Sequence, residues 1–239
     1  MNGRPERRAQ RKVVVLNPKG GCGKTTLATT LASWYALKGY RVALMDLDPQ
    51  GSSLHWLRKR PGERAPIRGI DAHASTAGVT RSFQLRLPPD VERLVVDTPA
   101  GLDGPRIAEI TRHAHAVIVP VLPSDIDIHA ASRYIGELLL HGRFDDRGQR
   151  VAVVANRVRT TNRMYQPLLR FLNSLSIPFV ATLQDSQNYV AASEAGLGIH
   201  EMPAYLVSQD TLCWRGLLDW LETRPDHWAD GALTPAAVS

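Results

Sequence analysis

Apolar positions along the chain fall into short runs separated by stretches that repeat at helical spacing. The runs 13–16, 41–46, 94–97, 116–122, 151–155 and 179–183 are rich in Val, Ile and Leu and read as strands. Between the first two, Leu27, Leu31 and Trp34 recur at helical spacing, and Gly39 after Lys38 is a stop signal. Ile128, Ala131, Ile135 and Leu138 mark a second helix, preceded by Ser124-Asp125-Ile126-Asp127, which fits a capping box. Leu168, Leu172 and Leu175 mark a third, and Trp214, Leu217, Leu218 and Leu221 a fourth. Strands alternating with helices predict an α/β domain with a mostly parallel, twisted sheet and helices on both faces. The runs 94–97 and 151–155 are almost continuously apolar, as strands covered on both faces require. The stretch 61–89 has weak periodicity and yields no element, and no internal repeat is visible. One domain over 13–224 is expected, between a basic arm (1–12) and an irregular tail (225–239).

A chain of 239 residues with 44% hydrophobic and 22% charged residues can build an ordinary globular core. No apolar run approaches the ~18–20 residues that span a bilayer. The four apolar residues 13–16 after the basic start are too few for a signal-peptide core. Two cysteines, Cys22 and Cys213, make neither a disulfide framework nor a C-x-x-C metal site. His113 and His115 are two residues apart without a third ligand nearby. A cytoplasmic protein is expected.

Charge is uneven. The net charge is +6, yet residues 1–12 and 58–68 each hold five basic residues against one acid, +4 apiece, so the remainder sums to −2. Residues 156–163 add Arg157, Arg159 and Arg163 with no acid. Such clustering suits a nucleic-acid surface, and equally a solvated face with a disordered arm. Charge alone does not decide.

The first run leads into Pro18-Lys19-Gly20-Gly21-Cys22-Gly23-Lys24-Thr25-Thr26, which opens the first helix. Glycines let successive backbone N–H groups turn inward as an anion nest, and the helix N-terminus adds positive potential. In a phosphate loop G-x-x-x-x-G-K-[ST], Lys24 would reach the β- and γ-phosphates and Thr25 would place its hydroxyl on Mg²⁺. This chain carries Pro18 where that pattern wants its first glycine, and a second lysine, Lys19, inside the loop.

With that loop the sequence resembles the ParA/MinD family of ATPases, whose phosphate loop carries an extra lysine at this position. Two further segments agree. Asp46-Leu47-Asp48-Pro49-Gln50-Gly51 is similar to the family's D-x-D-P-Q-G, and Asp97-Thr98-Pro99-Ala100-Gly101 to its D-T-P-A/P-G switch. Val119-Pro120-Val121-Leu122-Pro123-Ser124 resembles its proline-bearing strand end. The resemblance runs from Val13 to about Leu221 and implies a P-loop NTPase domain that binds ATP and Mg²⁺. It makes Lys19, Gly20, Gly21, Cys22, Gly23, Lys24, Thr25 and Thr26 nucleotide-binding, with Asn156 and Arg157 at the adenine, although a plain loop serves as well for that pair. Thr25, Asp46 and Asp97 become the metal residues. Asp48 would orient the attacking water, because a carboxylate of ordinary pKa is a poor base for water and the loose transition state asks little of one. Lys19 would cross to the partner's phosphates, which implies a homodimer in the ATP-bound state.

Only twelve residues precede the first strand, so the chain looks like the small ParA type. That type partitions plasmids or chromosomes, or distributes protein cargo such as carboxysomes. It implies ATP-dependent dimers on nucleoid DNA, bound without sequence preference, and a cargo-associated activator that stimulates hydrolysis. Arg157, Arg159, Arg163 and Arg215 are the candidate DNA contacts, with the 1–12 arm as auxiliary. A MinD-like membrane ATPase is the alternative, but it needs a basic amphipathic helix at the C-terminus. Here Arg215 faces Asp219 and Glu222, and the tail has no basic face. An iron–sulfur carrier of the same superfamily would need cysteines that are missing. A DNA-binding scaffold that holds ATP with negligible turnover differs from the first reading only in phosphate release.

Overall fold

The computed structural model describes residues 10–73, 90–142 and 150–223. Among these residues seven strands form one sheet: β1 (Arg11–Val15), β2 (Val42–Asp46), β3 (Ile67–Asp71), β4 (Arg93–Asp97), β5 (Ala116–Val121), β6 (Val151–Val158) and β7 (Phe179–Gln184). All pairings are parallel, in the order β3-β2-β4-β1-β5-β6-β7. Strand order reverses across β1, with β2, β3 and β4 on one side and β5, β6 and β7 on the other. In open sheets of this kind the crevice beyond the strands' C-terminal ends at the reversal is where ligands bind.

Helices α1 (Lys24–Leu37), α2 (Ser52–Arg58), α3 (Gly104–Thr111), α4 (Asp125–His141), α5 (Tyr165–Ser174), α6 (Asn188–Glu194) and α7 (Ala204–Glu222) cover both faces, with a 3₁₀ turn over Ile199–Glu201. Successive side chains of a strand point to opposite faces, and β1 divides accordingly. Val14 and Leu16 join the core under α3, α4 and α5, which includes Ile107, Leu138 and Leu168. Val13 and Val15 join the core under α1, α2 and α7, which includes Leu27, Trp56 and Leu217. The single α/β domain expected from the apolar rhythm is present, and its described strands are all parallel.

Element boundaries differ from expectation where long-range pairing decides them. β1 begins at Arg11, inside the expected basic arm, because Arg11 and Lys12 pair with Arg93 and Leu94. The rest of that arm to residue 9 and the tail from 225 lie outside the described residues. β3 was not foreseen: Ile-Arg-Gly-Ile-Asp carries little apolar signal, and the strand exists as the sheet edge through its pairing with β2. The short helix α2 was also missed. Its first turn is capped by a carboxylate six residues upstream, Asp46, whose Oδ2 accepts from the Ser53 and Leu54 N–H groups. α7 starts ten residues before the first apolar repeat at Trp214, since its N-terminal half buries only Val207 and Asp210.

The basic stretch 58–68 is not a uniform patch. Arg60 points inward, stacks over Trp56 and forms a two-pronged ion pair with Glu201 at 2.7 and 2.8 Å, both side chains buried. Trp56 Nε1 donates to Leu197 O in the same seam, which fastens α2 to the turn before α7. Arg68 faces Asp90 at 3.7 Å.

Candidate functional site

β1 runs out at Val15, and its neighbours pin the loop that follows. Asn17 is buried; its Nδ2 donates to Pro120 O at the end of β5 and its Oδ1 accepts from Lys19 N–H at 2.8 Å. Gly21 (φ 73°) and Gly23 (φ 94°) take left-handed conformations that turn the loop into α1. At Gly23 a Cβ would also collide with the Asn156 carboxamide. Asn156, at the end of β6, is buried and donates 2.8 Å to Cys22 O. It therefore acts as a strut for the loop in this structure.

Lys24 is buried at the loop's mouth, where Nζ donates to Lys19 O at 2.7 Å and lies 3.9 Å from Cys22 Sγ. An ammonium has three donors to satisfy, and one carbonyl and a distant sulfur leave it well placed to meet anionic oxygens. Burial pushes the Cys22 thiol pKa up, with Lys24 opposing, so its sulfur is a packing group and not a ready nucleophile.

Beside the loop, β2 and β4 end in register on Asp46 and Asp97. Asp46 is fully buried and spent on backbone: Oδ1 accepts from Asp48 N–H at 3.0 Å, while Oδ2 caps α2. Asp48 is half-buried, and its Oδ1 accepts from Gln50 N–H at 3.0 Å, closing the turn over 48–51. Thr98 Oγ1 donates to Val15 O at 2.8 Å and locks β4's end to β1.

Asp97 differs from all of these. Both carboxylate oxygens are buried, and among the described residues neither has a hydrogen-bond partner. Burial pushes its pKa up to about 7; Asp46 and Asp48 add to this, while Lys24 opposes. The Thr25 hydroxyl approaches closely enough to lower the pKa without the geometry of a hydrogen bond. A buried carboxylate beside a threonine hydroxyl supplies hard oxygen donors of the kind a divalent cation such as Mg²⁺ takes, while the Lys24 ammonium near them suits an anion and not the metal. An open cleft of about 350 Å³ extends from Thr25, Thr26 and Thr29 along Gln50, His55 and Arg58.

The raised pKa has a measurable consequence for the nucleotide-free protein. The carboxyl titrates near 3.8 without the fold and near 7 within it, so the folded state holds the proton more tightly. Its contribution to stability is complete below about pH 4 and is lost as pH rises through 7. Asp97→Asn is therefore expected to stabilise the fold against urea at pH 8, by up to about 4 kcal/mol, and much less at pH 5. An equal gain at both pH values would mean that Asp97 is not held protonated.

Lys19, Lys24, Thr25, Asp46, Asp48 and Asp97 thus gather at the C-terminal ends of β1, β2 and β4. Lys19 Nζ, however, turns back to its own chain, 3.4 Å from Asp127 Oδ1. Arg157 stands apart at φ 52°, exposed, with Nε 3.2 Å from Asp185. Arg159 meets the same carboxylate at 2.7 Å, so the two arginines share one acid. Arg163 is exposed on the loop before α5, and Arg215 lies on α7, 3.8 Å from Asp219. Asn17, Thr98 and Asp127 were missed from sequence. Asn17 had a signal, a polar residue closing an apolar strand just before the loop; Asp127 was legible only as a helix cap.

Known proteins resemble this chain in sequence and in fold. Residues 13–199 match the CobQ/CobB/MinD/ParA nucleotide-binding domain family. The Halothiobacillus neapolitanus protein called maintenance of carboxysome distribution protein A is 30% identical over 173 residues, covering 71% of this chain and 77% of its own. A Cyanothece McdA variant solved with ATP superposes with a TM-score of 0.67 at 15% identity, over 91% of this chain and 98% of that one. The MinD cell division protein of Aquifex aeolicus gives 0.63 at 17% identity, over 94% and 98%.

Proposed function

The chain belongs to the CobQ/CobB/MinD/ParA nucleotide-binding family, and from that premise we propose that it is an ATP-hydrolysing positioning protein. In this proposal ATP-bound dimers bind nucleoid DNA without sequence preference, and a cargo-associated activator triggers hydrolysis and release. A carboxysome-like compartment is the favoured cargo, from the likeness to the H. neapolitanus protein. The observation that carries the reading is the convergence of Lys24, Thr25, Asp48 and the unpartnered Asp97 around the loop at the sheet's reversal point.

Phosphoryl transfer to water is mostly a matter of positioning and charge neutralisation. Lys24 and the loop's N–H groups hold the β- and γ-phosphates. Thr25 and Asp97 hold Mg²⁺, which when bound neutralises phosphate charge, and Asp46 keeps the segment carrying Asp48 in place. Asp48 orients the attacking water. Lys19 reaches the partner's phosphates. Asn156 supports the loop, so contact with the base falls chiefly to Arg157.

DNA binding would rest on Arg157, Arg159, Arg163 and Arg215. The absence of a recognisable base-reading motif in the sequence favours contacts to phosphates. The test combines steady-state phosphate release with and without DNA and a salt titration of binding to two unrelated duplexes. Turnover that requires Mg²⁺ is expected, together with DNA affinity that rises with ATP and not with ADP. A dimer meeting about six phosphates should show a log–log salt slope near −5. DNA binding without phosphate release would leave a nucleotide-gated scaffold. A tenfold sequence preference, or equal affinity in both nucleotide states, would overturn the nucleoid reading. Binding to anionic vesicles in place of DNA would return the MinD-like alternative.

A further inference from the structure

The additional lysine of the phosphate loop is tied down at both ends. Its backbone N–H donates to Asn17 Oδ1 and its carbonyl accepts from Lys24 Nζ. Its ammonium sits 3.4 Å from Asp127 Oδ1 at the start of α4. Asp127 is itself clamped: its N–H donates to Ser124 Oγ at 3.1 Å, and its other carboxylate oxygen accepts from that same hydroxyl. The carboxylate therefore presents one fixed oxygen to Lys19, and the Lys19 side chain is two-thirds shielded where it meets it. Ile126, next to Asp127 in the chain, is an apolar side chain left 69% exposed on the first turn of the same helix.

We propose that Asp127 is a positioning residue that latches Lys19 inside its own subunit, so that closing the dimer exchanges this carboxylate for the partner's nucleotide phosphates. The proposal rests on the reading above that Lys19 acts across the dimer. A polyphosphate carries more negative charge than one carboxylate, so a nucleotide-bearing partner outcompetes Asp127 and an empty one does not. The latch is also connected to the chain's own nucleotide. Phosphates that draw Lys24 away from Lys19 O release the backbone on which the latched side chain is mounted.

The pair is partly exposed, so its strength is modest: about fivefold at most per subunit, and about 25-fold in dimer affinity for two latches. Sedimentation with a slowly hydrolysed ATP analogue tests this on the full chain, comparing wild type, Asp127→Asn, Lys19→Ala and the double variant. Asparagine can still accept from Ser124 and keep the helix start, which an unchanged thermal midpoint verifies. Asp127→Asn should dimerise more tightly than wild type, and in the Lys19→Ala background the same change should do nothing. Unchanged or weaker dimerisation of Asp127→Asn, with Lys19→Ala failing to dimerise, would overturn the latch and leave the trans-lysine reading standing. A tighter dimer that persists in the double variant would also overturn it, since the effect would not pass through Lys19. A Lys19→Ala protein that dimerises as tightly as wild type would remove the trans-lysine reading itself.

Discussion

Lys24→Ala is expected to abolish nucleotide binding at ordinary ATP concentrations. Lys24 is buried at the mouth of the loop, and its Nζ reaches across it to Lys19 O. Without the ammonium, phosphate charge would enter a site walled by Asp46, Asp48 and Asp97 with its main counter-charge gone. Leaving one member of a buried charge pair uncompensated costs about 3–5 kcal/mol, or roughly 10²- to almost 10⁴-fold in affinity. Titration calorimetry with ATP and Mg²⁺ measures the loss. The fold should survive, because the helix and both cores are built without this side chain, and circular dichroism checks it. Affinity within tenfold of wild type would mean that the loop holds phosphate by its backbone alone.

Asp48→Ala should give the opposite pattern: ATP still bound, hydrolysis nearly stopped. The loop lysine and the Asp97 side are untouched by this change. Asp48 is held by the turn it closes with Gln50, and its own N–H is fastened to Asp46, so its carboxylate starts from a defined position. Placement of a reacting group is worth about 10²-fold or more per ångström of error, so turnover should fall by about 10²- to 10³-fold with little change in ATP affinity. Phosphate release read against nucleotide affinity separates the two, and the variant should accumulate as an ATP-bound dimer in sedimentation. Hydrolysis at the wild-type rate would remove Asp48 from the mechanism. A parallel loss of affinity would make it a structural member of the turn. On this expectation Lys24 would govern binding and Asp48 the rate, although both follow strands that end at the same edge of the sheet, with only β4 between β1 and β2.

What the sequence determined by itself was whatever consecutive residues encode. The phosphate loop is one, because an anion nest is a property of successive backbone N–H groups and of glycines that accept positive φ. Gly21 and Gly23 stand as that chemistry requires. The strand-and-helix rhythm is another, since a two-faced core repeats locally along each element: 94–97 and 151–155 fall within β4 and β6. Tertiary structure alone decided what depends on residues far apart in the chain. β3 exists because β2 offers it an edge, and α2 because a carboxylate on β2 caps it. The Asp97 pKa is pushed up because burial withholds water and, among the described residues, no well-formed hydrogen bond replaces it. Arg60 drops out of the basic cluster because Glu201, 141 residues away, takes it into the interior. Lys19 is held because the end of β5 delivers α4, with Asp127, to the side of the loop. A local pattern specifies which groups a segment carries; which charge each group meets is set only when strands distant in sequence pair side by side.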